Sequence, residues 1–159
     1  SDFPHLVSDH DFKKIVAVLR LSVPYTGIIL STRESPAMRD TLFTLGVSQA
    51  SAESRTAPGA YSDGRLAETP GQFSLSDQRS MDDVIDSLLE RDFIPSFCAA
   101  CYRKERTGEA FMNLAKPGTI KGKCSMNALI TLKEYLDDFA SEKVRLKGYG
   151  AIKKLTSKL

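Results

Sequence analysis

Apolar positions recur with a helical period early in the chain. Phe12, Ile15, Val16 and Leu19 follow an i, i+3, i+4, i+7 pattern. Ser8 stands as the N-cap of this helix with Asp11 at N3, and Pro24 predicts its end near residues 21–23. Residues 26–32 (TGIILST) then form a short apolar, β-branched run, which predicts a strand buried on both faces, as in a parallel sheet. Ser35 and Pro36 open a second helix as N-cap and N1, with Met38, Leu42 and Leu45 on one face and Gly46 at C′. Residues 47–52 read as a second strand. Two αβ units in succession predict parallel strands flanked by helices. Two strands cannot bury both faces of a sheet, so these units are expected to complete a larger α/β structure.

Residues 54–71 hold Pro58, Gly59, Gly64, Pro70 and Gly71 and mark the expected domain boundary, with a short strand possible at 72–75. Ser80 precedes a strongly amphipathic helix carrying Met81, Val84, Ile85, Leu88 and Leu89, with Asp82 and Asp83 in the first turn. Phe93, Ile94 and Phe97 suggest a strand and core packing ahead of Cys98, and Tyr25 is also read as a packing residue. A short helix is expected over 107–115, ending at Pro117-Gly118. Ser125 is read as the cap of a long helix to Phe139 with Leu129, Leu132 and Leu136 inside. The basic tail from Ser141, interrupted by Gly148 and Gly150, reads as a solvated surface helix. The division is therefore 1–60 for the αβ units, 61–79 for a linker and 80–159 for a mostly helical C-terminal extension.

Composition narrows the class. The 159 residues are 42% hydrophobic and 26% charged, ordinary globular usage. The net charge of +2 is too small to argue for nucleic acid. No apolar run approaches a membrane span. An N-terminal secretion pattern is lacking and the cysteine count is odd, so a reducing, cytoplasmic setting is expected. The chain begins Ser1-Asp2-Phe3 without Met, as a partial chain would.

Three cysteines carry the candidate chemistry: Cys98 and Cys101 form a CxxC, and Cys124 follows after 22 residues. Four assignments compete. The thiols are unrelated; or Cys98 and Cys101 are a redox pair; or the set binds zinc, which needs a fourth ligand that His5 and His10 are too distant in sequence to supply. In the fourth, three thiolates hold an iron–sulfur cluster and leave one iron open for chemistry. Arg103, Lys104, Arg106, Lys116, Lys121 and Lys123 would offset the cluster's negative charge, and the expected helix start beside Cys124 would favour a thiolate.

Residues 20–34 (RLSVPYTGIILSTRE) and 50–55 (ASAESR) resemble late barrel units of radical S-adenosylmethionine enzymes of the aromatic amino-acid lyase group. The CxxC-x22-C pattern, with MNLAKPG at 112–118 and GKCS at 122–125, is similar to the C-terminal region of the tyrosine lyases in that group that mature FeFe-hydrogenase. The resemblance runs over nearly the whole chain.

It implies the last αβ units of a TIM-type barrel followed by a helical extension. In the full-length enzymes a CxxxCxxC motif holds a 4Fe–4S cluster that cleaves S-adenosylmethionine, and tyrosine is broken down to p-cresol, carbon monoxide and cyanide. Cys98, Cys101 and Cys124 match the ligands of an auxiliary 4Fe–4S cluster with an additional iron, on which an iron–carbonyl–cyanide unit is built for the hydrogenase. Implied partners are tyrosine, S-adenosylmethionine and other hydrogenase maturation proteins, with no nucleic acid and no membrane. This chain has no CxxxCxxC. The expectation is therefore a C-terminal fragment that is inactive alone. Strand ends carry the site in such barrels. Arg33 and Arg55 become candidate catalytic residues, binding a carboxylate or cluster-bound intermediate through bidentate hydrogen bonds. The alternative from another class is a non-catalytic zinc-binding or interaction module.

Overall fold

The computed structural model describes residues 5–57, 60–61, 74–98 and 108–157. It is rich in helix, with two short parallel strands. The chain divides into two compact units, Ser1–Met81 and Asp82–Leu159.

The first unit carries α1 (Asp9–Ser22), β1 (Ile29–Leu30), α2 (Pro36–Thr44) and β2 (Gln49–Ala50). Ser8 caps α1 by accepting from the Asp11 N–H, and Ser35 caps α2 by accepting from the Met38 N–H. Gly46 ends α2 with φ +104°, and Gly46 N–H and Val47 N–H return to the carbonyls of Phe43 and Leu42. A side chain is disfavoured there twice. The backbone is left-handed, and a Cβ would stand 2.6 Å from Arg20 Cγ. Arg20 uses that space to donate from Nε and Nη2 to the Gly46 carbonyl at 2.9 and 2.7 Å. The two strands pair in parallel, Ile29 with Gln49 and Leu30 with Ala50. Val16, Leu30, Met38, Leu42 and Val47 make the core.

The first strand departs from expectation. It is two residues long, and only one side is covered: Leu30 is 6% exposed whereas Ile29 is 66% exposed. The described residues supply helical cover to one face of the pair and none to Ile29. Tyr25, read as a packing residue, is 44% exposed.

The second unit carries most of α3 (Met81–Glu90), then α4 (Gly108–Ala115), α5 (Ile120–Asp138) and α6 (Glu142–Thr156). Asp92, at φ +59°, closes α3, with Asp92 and Phe93 N–H returning to Leu89 and Leu88. No strand forms over 93–98. The possible strand at 72–75 lies partly outside the described residues, and Ser74 and Leu75 are not extended in a sheet.

The α5 helix starts five residues before Ser125. The Pro117-Gly118 turn ends α4 and the next helix begins directly after it, running through Gly122, so the serine lies inside the helix with no chain end to cap. The α6 helix runs through Gly148 and Gly150, capped by Ser141. Gly148 is buried, and a Cβ there would lie 2.5 Å from Leu136 Cδ2, so the glycine permits close packing of α5 on α6. Among the described residues no helix is long and apolar enough to cross a membrane.

Candidate functional site

The C-terminal ends of β1 and β2 are tied together by buried charge. Arg39, on α2, has no exposed surface, and its guanidinium donates to the Asp77 carboxylate and to the Ser51 carbonyl just after β2. Asp77 N–H donates to the carbonyl of buried Thr32, just after β1, at 3.0 Å. Arg79 then closes on the same carboxylate, donating from Nη2 at 2.8 Å, from Nε at 3.0 Å and from its backbone N–H at 3.1 Å. It also reaches Asp40 Oδ1 at 3.3 Å. Burial alone would raise the Asp77 pKa. The hydrogen bonds from Arg79 and the charge and hydrogen bond of Arg39 outweigh that and bring it down to about 2. The Arg39 Nε–H is buried and meets no acceptor among the described residues.

Sequence reasoning missed this network. Its only signal was Arg39 inside an otherwise apolar helical face, at i+1 from Met38 and i−3 from Leu42.

The candidate arginines flank the network. Arg33 is exposed beyond β1, its N–H 3.4 Å from Ser31 Oγ. Arg55 is half-buried beyond β2, and its Nη2 lies 3.8 Å from Glu53 Oε1. Tyr61 Oη accepts from the Arg55 N–H at 2.7 Å. Glu53 has φ +53°, a left-handed conformation that a non-glycine residue adopts only when its surroundings require it. Both arginines thus follow the same end of the parallel pair.

The cysteines belong to the second unit. Cys98 follows the irregular stretch after α3, Cys124 lies on α5, and both are exposed. Cys101 lies outside the described residues, as do Arg103, Lys104 and Arg106. Cys124 occupies the fifth position of α5 rather than a helix start, one residue past the first turn, where the pull of the helix N-terminus is weaker than expected. Lys121 and Lys123 remain nearby in sequence and exposed. Among the described residues no three His, Cys, Asp or Glu side chains converge on a metal position. Thiolates are the donors that iron–sulfur clusters take. The two described thiols, both solvent-accessible and in one compact unit, fit that chemistry.

Phe97 was expected in the core. It is 43% exposed, and instead stacks on Tyr135 of α5 with centroids 4.9 Å apart.

Residues 1–94 match the Biotin and Thiamin Synthesis associated domain, and the chain belongs to that family. Within it, the chain is similar to the C-terminal part of HydG, a maturase of the FeFe-hydrogenase. One HydG crystal structure superposes with a TM-score of 0.89 at 46% identity over 98% of this chain and 33% of that one. HydG from Carboxydothermus hydrogenoformans gives 0.72 at 39% identity over 98% and 31%. The 2-iminoacetate synthase of Escherichia coli K12 is 32% identical over 90 residues, 57% of this chain and 23% of its own length. The chain therefore spans about a third of the HydG structures and under a quarter of that synthase.

Proposed function

We propose that this chain is the part of a HydG-like radical S-adenosylmethionine tyrosine lyase that holds an auxiliary iron–sulfur cluster on Cys98, Cys101 and Cys124. The observation that carries the reading is a likeness to HydG over 98% of the chain that takes in the whole cysteine-bearing region. The family match ends at residue 94, before the first cysteine, so the cysteine-bearing part of the second unit rests on the HydG likeness alone. When bound, such a cluster supplies an iron with a coordination position not held by a protein thiolate. The three cysteines bind it, and the lysines at 116, 121 and 123 lower the cost of its negative charge.

In this reading residues 1–60 are the closing αβ portion of a TIM-type barrel, residues 61–79 the linker and residues 80–159 the C-terminal extension. Ile29, two-thirds exposed, is the kind of residue that a neighbouring barrel element would cover. Arg33 and Arg55 orient a carboxylate at the strand ends, and the Arg39–Asp77–Arg79 network holds the loops that bear them. The complete enzyme would be cytoplasmic. It would use tyrosine, S-adenosylmethionine and a second 4Fe–4S cluster, produce carbon monoxide and cyanide, and deliver its product to other hydrogenase maturation proteins. These 159 residues contain no CxxxCxxC, so on their own they are not expected to cleave either substrate.

Anaerobic reconstitution with iron and sulfide tests the reading. Charge-transfer absorbance, an EPR signal on reduction, and loss of both in Cys124→Ala are expected. No incorporation, incorporation unchanged by Cys124→Ala, or stoichiometric zinc without iron in the purified protein would each sink it.

A further inference from the structure

Residues 93–98 form neither helix nor strand, yet they are docked on α5. Phe97 N–H donates to Thr131 Oγ1 at 3.2 Å. Ser96 Oγ lies 3.4 Å from the same oxygen, and Cys98 N–H donates to Ser96 Oγ at 3.3 Å. Thr131 Oγ1 is also 3.0 Å from the Asn127 carbonyl and 3.3 Å from that of Ala128.

A hydroxyl has one hydrogen and two lone pairs, and that inventory orders the chain of donors. The Thr131 hydrogen serves the helix carbonyls, so its lone pairs accept from Phe97 N–H and from the Ser96 hydroxyl. Ser96 in turn accepts from Cys98 N–H. The backbone nitrogen of Cys98 is thus connected to α5 through two hydroxyls, each used in both senses. One turn further on, Tyr135 stacks on Phe97 and donates to Asp82 Oδ1 at 3.1 Å, which holds that ring in place.

Cys124 lies seven residues before Thr131 on the same helix. Seven residues make almost two turns, so both side chains share one side of α5, separated by about 10 Å along its axis. The side they share runs through Asn127, Ala128, Thr131 and Tyr135, all half-buried, and is distinct from the Leu129, Leu132 and Leu136 face that is fully buried.

We propose that Thr131 is a positioning residue: its hydroxyl holds the Cys98 segment in register with Cys124 so that both thiols are presented before a cluster binds. This rests on the cluster reading above. The Thr131→Val change keeps the shape and removes the hydroxyl, whereas Thr131→Ser keeps the hydroxyl.

The first measurement needs no cluster. Nitroxide labels on Cys98 and Cys124, in protein carrying Cys101→Ser, report their separation by dipolar broadening. A narrow distribution is expected in the parent, a broad one with Thr131→Val and a narrow one again with Thr131→Ser. Equal distributions with and without the hydroxyl would overturn the proposal. The second measurement follows iron release to a chelator after anaerobic loading. Thr131→Val is expected to bind about tenfold more weakly, the range for loss of a residue that orients a ligand, and Thr131→Ser close to the parent. Unchanged retention in Thr131→Val would deny the hydroxyl any part in ligand presentation. A parent protein with a narrow label distance that takes up no iron would instead overturn the cluster reading, and with it the purpose assigned to the latch. Melting curves followed by circular dichroism show that each variant is folded at the assay temperature.

Discussion

The two units use charge in opposite ways. In the first, a carboxylate and a guanidinium are taken out of water together: Arg39 and Asp77 are 0% and 1% exposed and bind the two strand-end loops. In the second, Leu129, Leu132, Leu136 and Val144 make an apolar interior, and the buried charge among the described residues is Asp86, 9% exposed, which is met by lysines reaching in from the surface. There Lys143, Lys147 and Lys154, spaced i, i+4, i+11 along α6, pair with Asp86, Glu90 and Asp92 on or just after α3. A buried pair is costly to form and costlier to break, whereas exposed pairs are screened by water and salt. The first unit therefore gains a fixed geometry at its strand ends, and the second gains helix packing that tolerates surface change.

The largest expected effect comes from breaking the buried pair on one side. Asp77→Ala leaves Arg39 charged and uncompensated, and should destabilise the first unit by roughly 3–5 kcal/mol. Hydrogen exchange of α2 amides, compared with those of α5, measures it; equal loss in both helices would deny the contrast.

Acid sharpens the same comparison. Asp77 titrates near pH 2 in the folded chain against an ordinary value of 3.8, so the unfolded state takes up its proton first as pH falls. The stabilisation, roughly 2 kcal/mol, is complete above about pH 4 and lost as pH falls through 2. Urea titrations between those limits should show it, and Asp77→Asn should flatten the slope. Asp86 is also held below the usual carboxylate range, chiefly by its hydrogen bonds to Lys143 and then Lys147.

The smallest effect is expected at the rim. Lys154 is 59% exposed and its partner Asp92 78%, so Lys154→Ala should cost at most about 0.5 kcal/mol and nothing measurable in molar salt. A loss above 2 kcal/mol would mean that the rim pairs carry the second unit after all.

Much of the first unit was legible. Ser8, Ser35, Pro36 and Gly46 act locally, each through groups within a few residues, and all four stand where sequence rules put them. The start of α5 was misread because a serine signals a cap only where a helix already begins, and that is decided by the turn before it. Cys98 and Cys124 could be picked out by type and spacing. That the segment leading into Cys98 bonds to Thr131 on the helix that carries Cys124 could not, because it depends on Ser96 and Thr131 meeting across 35 residues.

By itself the sequence determined the caps of α1 and α2, the αβαβ order and the helical second half, since these follow from short-range periodicity and from side chains reaching their own backbone. Tertiary structure alone decided that Arg39 is interior, that Asp77 closes the strand ends, and that Thr131 bonds the segment leading into Cys98. A charged or hydroxyl side chain has no burial written into its own neighbourhood; its partner, brought from far along the chain, supplies the reason for it to be there.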